Sequence, residues 1–172
     1  MKLAALIVTG ACGAGKTTLT LGVEKLKLKG VTCYILDYLE DVLPSSADTQ
    51  SDEDYQSSLL EYWVSKLLQE VEQPSVAIID AHIRPHLASQ LLHKLGVPHD
   101  VVMVDCDTEL RHERLRGRGQ PELINSQMDG WAAYLRGQAD ALGLTIIDNS
   151  VAPLDESISS LRNVALSLLK KL

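Results

Sequence analysis

The 172-residue sequence predicts a single α/β domain, a parallel β-sheet with helices on both faces. Five short apolar runs rich in Val and Ile, at 3–9, 31–36, 76–80, 100–105 and 144–148, show no alternation of polar residues, as expected of strands buried on both faces. Longer segments with helical spacing alternate with them, at 16–28, 57–71, 85–95, 108–116, 121–142 and 154–172, and such alternation requires βαβ crossovers. The length supports one sizeable core and not two, so residues 1–172 are read as one domain.

The first strand has a competing reading. Met1-Lys2, the apolar residues 3–8 and Thr-Gly-Ala-Cys12 imitate a lipoprotein signal, but an apolar core of six residues behind one positive charge is shorter than the usual ~7–15 of a secretory signal. A buried strand accounts for the same residues. Directly after it, Gly10-Ala11-Cys12-Gly13-Ala14-Gly15-Lys16-Thr17 matches G-x-x-x-x-G-K-[ST] in full and opens a segment of good helix formers. Glycines let the backbone wrap a phosphate with consecutive N–H groups and a helix N-terminus aimed at the anion. Lys16 is then expected on the β- and γ-phosphates, the Thr17 hydroxyl on Mg²⁺ and Thr18 on the α-phosphate. Cys12 lies inside this loop, where a helix N-terminus lowers a thiol's pKa, and nucleotide binding is therefore expected to be oxidation-sensitive.

The second strand closes on Asp37, at the edge where open α/β sheets bind ligands. A helix cap is the alternative use of that carboxylate. The stretch 43–56, rich in Ser, Asp and Gln, reads as a surface loop near the site. The third and fourth strands both end in acid, at Asp80 and Asp105, and either could help hold a metal ion. Asp80 is preferred because Ala81-His82-Ile83-Arg84 supply further polar groups on that edge, whereas Asp107-Thr108 can simply cap the next helix. His82 and His86 are four apart, but Pro85 between them prevents a regular helical ligand pair, and no third ligand completes a zinc site. Arg111, Arg114, Arg116 and Arg118 fall within eight residues ahead of Gly119-Gln120-Pro121, which break the helix. A hinged basic lid of this kind supplies cations over a migrating phosphoryl group and excludes water. Arg114 and Arg118 face the same way and Arg116 is offset; the alternative is a solvated basic helix face.

Composition narrows the function classes. A net charge of −7 argues against nucleic acid or an anionic membrane as the main partner. Three unpaired cysteines read as reduced thiols, which points to the cytoplasm, and no apolar run approaches a membrane span.

With these motifs in place, the chain resembles the adenylate-kinase-like and shikimate-kinase-like branch of P-loop kinases almost end to end. Beyond the P-loop, Asp80-Ala-His-Ile-Arg84 looks like the family's Asp-Gly-Phe-Pro-Arg strand end. His112-Glu-Arg114-Leu-Arg-Gly-Arg118-Gly looks like the approach to its lid, and 147–153 resemble the loop that lies against the base. The resemblance implies a three-layer P-loop NTPase fold with a five-stranded sheet in the order 2-3-1-4-5, an arginine-bearing lid at about 114–124 and an acceptor-binding segment at about 37–60. It also implies ATP and Mg²⁺, with Thr17 and Asp80 at the metal and Arg114 packed on adenine. Arg118 would reach the phosphates, Asn149 and Val151 would lie beside the base, and Asp37 would orient the acceptor or serve as its general base. Asp80, His82 and Arg84 would line the acceptor side, and an ion pair with one of the nearby acids is the alternative use of Arg84.

One departure is informative. Nucleotide-accepting members carry an arginine just after the second strand, but between Gly30 and Arg84 this chain has no arginine and a single lysine, Lys66. Asp37, Glu40, Asp41, Asp48, Asp52, Glu53 and Asp54 occupy that region instead, either facing the acceptor or lining a solvated loop. The expected activity is therefore phosphate transfer to a neutral or cationic hydroxyl-bearing acceptor: a nucleoside, sugar, cofactor precursor or antibiotic. The alternatives are a nucleoside monophosphate kinase and, from another class, a regulatory ATPase without a small-molecule acceptor. The Asn-Lys-x-Asp motif of GTPase switches is absent.

Overall fold

The central strand β1 (Leu3–Thr9) is buried at every residue, and the alternation of its side chains supplies two separate cores. In the computed structural model, which describes residues 2–36 and 52–172, β1 is followed by α1 (Lys16–Lys25), β2 (Val31–Ile35), α2 (Asp52–Glu70), β3 (Ser75–Asp80) and α3 (Pro85–Lys94). The chain continues through β4 (His99–Asp105), α4 (Thr108–Gly117), a 3-10 turn at Pro121–Leu123, α5 (Ser126–Ala141), β5 (Thr145–Asp148) and α6 (Leu154–Leu169). All strand pairs are parallel and the order is β2-β3-β1-β4-β5, as the resemblance implied.

Leu3, Ala5 and Ile7 of β1 join Ala77, Ile79 and Val101 under α2 and α3, with Leu60, Trp63, Val64 and Leu92 packed on top. Ala4, Leu6 and Val8 point to the other face and meet Leu19 and Val23 of α1 and Leu161, Ala165 and Leu168 of α6. Each such Leu, Ile or Val contributes about 1.5–3 kcal/mol relative to exposure. On the second face α1 and α6 approach closely: a Cβ added at Gly22 would lie 2.4 Å from Ile158 Cδ1. Met103, Leu135 and Ala139 seat α5 on β4.

The strands fall where the apolar runs predict them, within a residue at each end. Two helices differ. α2 begins at Asp52, so the last part of the loop expected at 43–56 is helical; Asp52, Glu53 and Asp54 form its first turn, where negative charge meets the positive end of the helix. The helix expected over 121–142 is divided. Asn125 is extended (φ −153°) and its side chain accepts the Met128 N–H at 2.9 Å, so α5 starts at its own cap and leaves 121–123 as a separate turn. Among the described residues no helix is long and apolar enough to cross a membrane.

A candidate phosphate-transfer site

The loop between β1 and α1 starts at the one position where a side chain is excluded by the neighbouring strand. Gly10 has φ +151°, and a Cβ there would sit 2.2 Å from the Val104 carbonyl oxygen. The loop turns on an Ala14 N–H to Ala11 C=O bond of 3.1 Å, and Gly15 opens α1. The first turn of α1 contains no acidic residue and its start has no side-chain cap. The first turn therefore supplies no carboxylate of its own to its N–H groups or to the positive end of the helix dipole, which suits an anion.

Lys16 is the loop's cation. It is 5% exposed, and its ammonium donates to the Gly10 carbonyl at 2.9 Å, which is what keeps a charge tolerable at that burial. Beside it, the Thr17 hydroxyl donates to Asp80 Oδ2 at 2.6 Å. Asp80 is wholly buried and sits level with Val8 at the end of β3. Of the two strand-terminal carboxylates left open by the sequence, Asp80 is the one that meets the loop. Asp105 is paired with Arg136 at 2.8 Å, and Asp107 accepts the Glu109 and Leu110 N–H groups as the cap of α4. A hydroxyl and a buried carboxylate side by side form a hard oxygen donor set that fits Mg²⁺.

A cavity of about 590 Å³ opens over this loop, lined by Cys12, Gly13, Gly15, Lys16, Thr17, Thr18 and Leu21 together with His82, Arg118, Gln120 and Leu123. That volume is in the range of small-molecule sites. A second cavity of about 330 Å³ lies on the far side of Gly15 and Thr18, against Arg114, Arg118, Asn149, Ser150, Ala152 and Leu154. The four clustered arginines thus separate. Arg118 faces both cavities. Arg114 acts as a strut, donating to Ala14 C=O at 3.1 Å and to Asn149 C=O at 2.9 Å, while Asn149 itself donates to Ala14 C=O at 2.9 Å. Arg116 is exposed, as its offset suggested, and Arg111 is buried. Val151, expected beside a base, is 89% exposed and lies outside the second cavity, whose wall is made by its neighbours Ala152 and Leu154. The loop carrying them is held by Ser150, whose hydroxyl accepts the Asp107 N–H at 2.7 Å. The Ser150 hydroxyl and N–H hold the Asp148 carboxyl below the usual range.

On the opposite side, His82 reaches the loop, with Nε2 3.8 Å from Cys12 Sγ. The connector that carries it is tied to β1 by the Thr9 hydroxyl, which donates to the Ile83 carbonyl at 2.6 Å. Arg84, one of the expected acceptor residues, pairs with Glu53 at 3.3 Å and lies 5.0 Å from the centre of the Trp131 ring. Asp37, Glu40, Asp41 and Asp48 lie outside the described residues. The sequence reading placed Gln120 and Leu123 in the lid and Ala152 in the loop beside the base without singling them out, and it missed Leu154 on the cavity wall and Trp131 against Arg84. Leu154 and Trp131 stand in no motif; their places follow from how the chain returns after each turn.

A family model described as an AAA domain matches residues 6–129, which include the whole phosphate loop, Asp80 and the arginine cluster. The chain belongs to the AAA domain family. Among solved structures this AAA domain is similar to one described as APE1195, with a TM-score of 0.67 at 17% identity over 98% of this chain and 97% of that one. It is also similar to shikimate kinase from Acinetobacter baumannii in complex with shikimate, with a TM-score of 0.59, 16% identity and coverage of 96% and 94%. A sugar kinase from a Janibacter species gives 0.55, 18% identity and coverage of 96% and 95%. At these identities the likeness establishes the fold, that of P-loop kinases. No curated protein matches the sequence.

Proposed function

We propose that this AAA domain moves the γ-phosphate of Mg-ATP to a hydroxyl of a small neutral or cationic acceptor. The observation that carries this reading is the coupling of an uncapped helix start, a buried lysine and the Thr17–Asp80 pair on one wall of a cavity whose other wall holds Arg118 and His82. In this reading the loop N–H groups bind the phosphates, and Lys16 exchanges the Gly10 carbonyl for an anionic oxygen. Thr17 and Asp80 would hold Mg²⁺, which neutralises charge on the phosphate oxygens. Arg118 stabilises the charge that spreads over the migrating group, and the second cavity takes the base. The two kinase-named fold relatives support the reaction class. The acceptor's charge class is supported by Arg84, whose guanidinium already has Glu53 as its counter-ion. An anionic acceptor would meet Asp52 instead, on the wall of the cavity that also includes His82, and an uncompensated like charge at ~4 Å costs about 1 kcal/mol in water and about 4 at an effective dielectric near 20.

The test is an ADP-release screen with Mg-ATP against pooled nucleosides, nucleoside monophosphates, sugars, vitamins and aminoglycoside or phenicol antibiotics. ADP formation that depends on a neutral or cationic hydroxyl compound is the expected result, and stimulation by nucleoside monophosphates alone would overturn the charge argument. The family's description as an AAA domain favours a second reading, hydrolysis without an acceptor, which the same screen registers as ADP formed at full rate in buffer. Arg118→Ala is expected to lower turnover by about 10²-fold, the scale of removing one transition-state donor, with a much smaller rise in the ATP KM. An unchanged kcat would place Arg118 outside the chemistry.

A further inference from the structure

Arg111 is among the largest fully buried side chains of the protein, at 2% exposure, although it lies in the most charged stretch of the sequence. A buried guanidinium needs a counter-charge. That counter-charge comes from Asp129, in the first turn of α5, whose Oδ1 accepts from Arg111 Nη2 and also from His112 Nε2, the latter at 2.8 Å. His112 and Arg111 together hold the Asp129 carboxyl below its usual range.

The other side of Arg111 supports the phosphate loop. A Cβ added at Gly13 would lie 2.9 Å from Arg111 Cγ and 3.0 Å from its carbonyl oxygen, so the crest of the loop rests on this residue without room for a methyl group. One turn along, Arg114 grips the same crest through Ala14 C=O. α4 then ends at Arg118, whose N–H bonds to Arg114 C=O, and the chain returns at Asn125, the cap of α5. Residues 118–125 therefore leave from one helix and return to another. Asp129 clamps the two stems, and α4 and α5 approach each other at few other points.

We propose that Asp129 is a positioning residue: acting through Arg111 and His112, it sets the height of the phosphate-loop crest and the base of the 118–125 segment together. Its consequence for Arg118 rests on the phosphate-transfer reading, but the mechanical coupling does not. The clamp makes the loop and the segment that faces it one unit, so a change at Asp129 is felt at Gly13, with which it shares only Arg111.

Amide hydrogen exchange on the full chain without nucleotide tests this, comparing wild type with Asp129→Ala and with Asp140→Asn. The control removes a carboxylate from the same helix, where it pairs with exposed Arg136 at 3.2 Å. Losing a hydrogen bond to a charged group is expected to speed exchange in Asp129→Ala by about tenfold. The acceleration should appear at both 11–14 and 118–125 and leave β1 and α6 at wild-type rates, and Asp140→Asn should match wild type. Mg-ADP affinity by calorimetry should fall several-fold in Asp129→Ala. Unchanged rates at 11–14, or a uniform acceleration across the sheet, would overturn the proposal. If Asp129→Ala does not fold, Asp129→Asn supplies the same comparison. Should wild type bind no Mg-ADP, the functional reading fails while the exchange pattern still decides the coupling.

Discussion

Replacing Lys16 with alanine is expected to lower acceptor-dependent ADP release by about 10²–10³-fold, the scale of removing one preorganised donor from a developing negative charge. The structure explains why no neighbour can substitute. Lys16 is the only basic residue of the loop, it is 5% exposed, and its ammonium is already out of water and bonded to Gly10 C=O. Binding a phosphate exchanges a neutral oxygen for a charged one at a site of low effective dielectric, where the gain is largest. Alanine removes that exchange and leaves the Gly10 carbonyl without its partner. The measurement is kcat and KM for Mg-ATP with the acceptor that the screen identifies, alongside a thermal melt to confirm folding. A folded variant with wild-type turnover would separate the loop from the chemistry altogether.

Asp80→Asn should be nearly as severe, with a different signature. The carboxylate accepts the Thr17 hydroxyl at 2.6 Å in a fully buried position, and an amide keeps the shape and one acceptor oxygen while losing the charge. If Thr17 and Asp80 hold the metal as proposed, the half-saturating Mg²⁺ concentration should rise and activity fall by about 10–100-fold, the usual effect of removing a carboxylate that supports a metal site. A titration of ADP release against Mg²⁺ at saturating ATP checks this. A fall in turnover with the Mg²⁺ dependence unmoved would make Asp80 a partner of Thr17 alone.

What could be read from the sequence was whatever is encoded locally. β1 was bounded correctly at Leu3 and Thr9 because a continuous apolar run ends at a glycine that cannot carry a side chain beneath Val104. The phosphate loop was legible for the same reason: all of its parts lie within eight consecutive residues. Asp107 as the cap of α4 was read as an alternative and is what the structure contains. The sheet order came from the family resemblance and not from spacing, because parallel strands pair across crossovers that leave no mark on either run. An ion pair between Arg84 and one of the nearby acids was read as an alternative, without saying which acid, whereas the pairing of Arg111 with Asp129 lay beyond reach altogether. Glu53 lies in α2 and Arg84 just ahead of α3, while Arg111 and Asp129 lie in α4 and α5, and a charge at such a place reads the same whether it meets water or a buried partner. The start of α2 was missed because Asp52, Glu53 and Asp54 look like loop residues until the helix dipole behind them is counted.

The two cores that β1 feeds have a consequence for how such a protein can change. The helix that begins at the phosphate loop is anchored on one face of the sheet, against α6 from the far end of the chain. α2 and α3, with Glu53, Arg84 and the approach to His82, are anchored on the other. A layer of strands separates the packing beneath α2 and α3 from the packing beneath α1, so either core can be repacked by drift without disturbing the seat of the helix on the other.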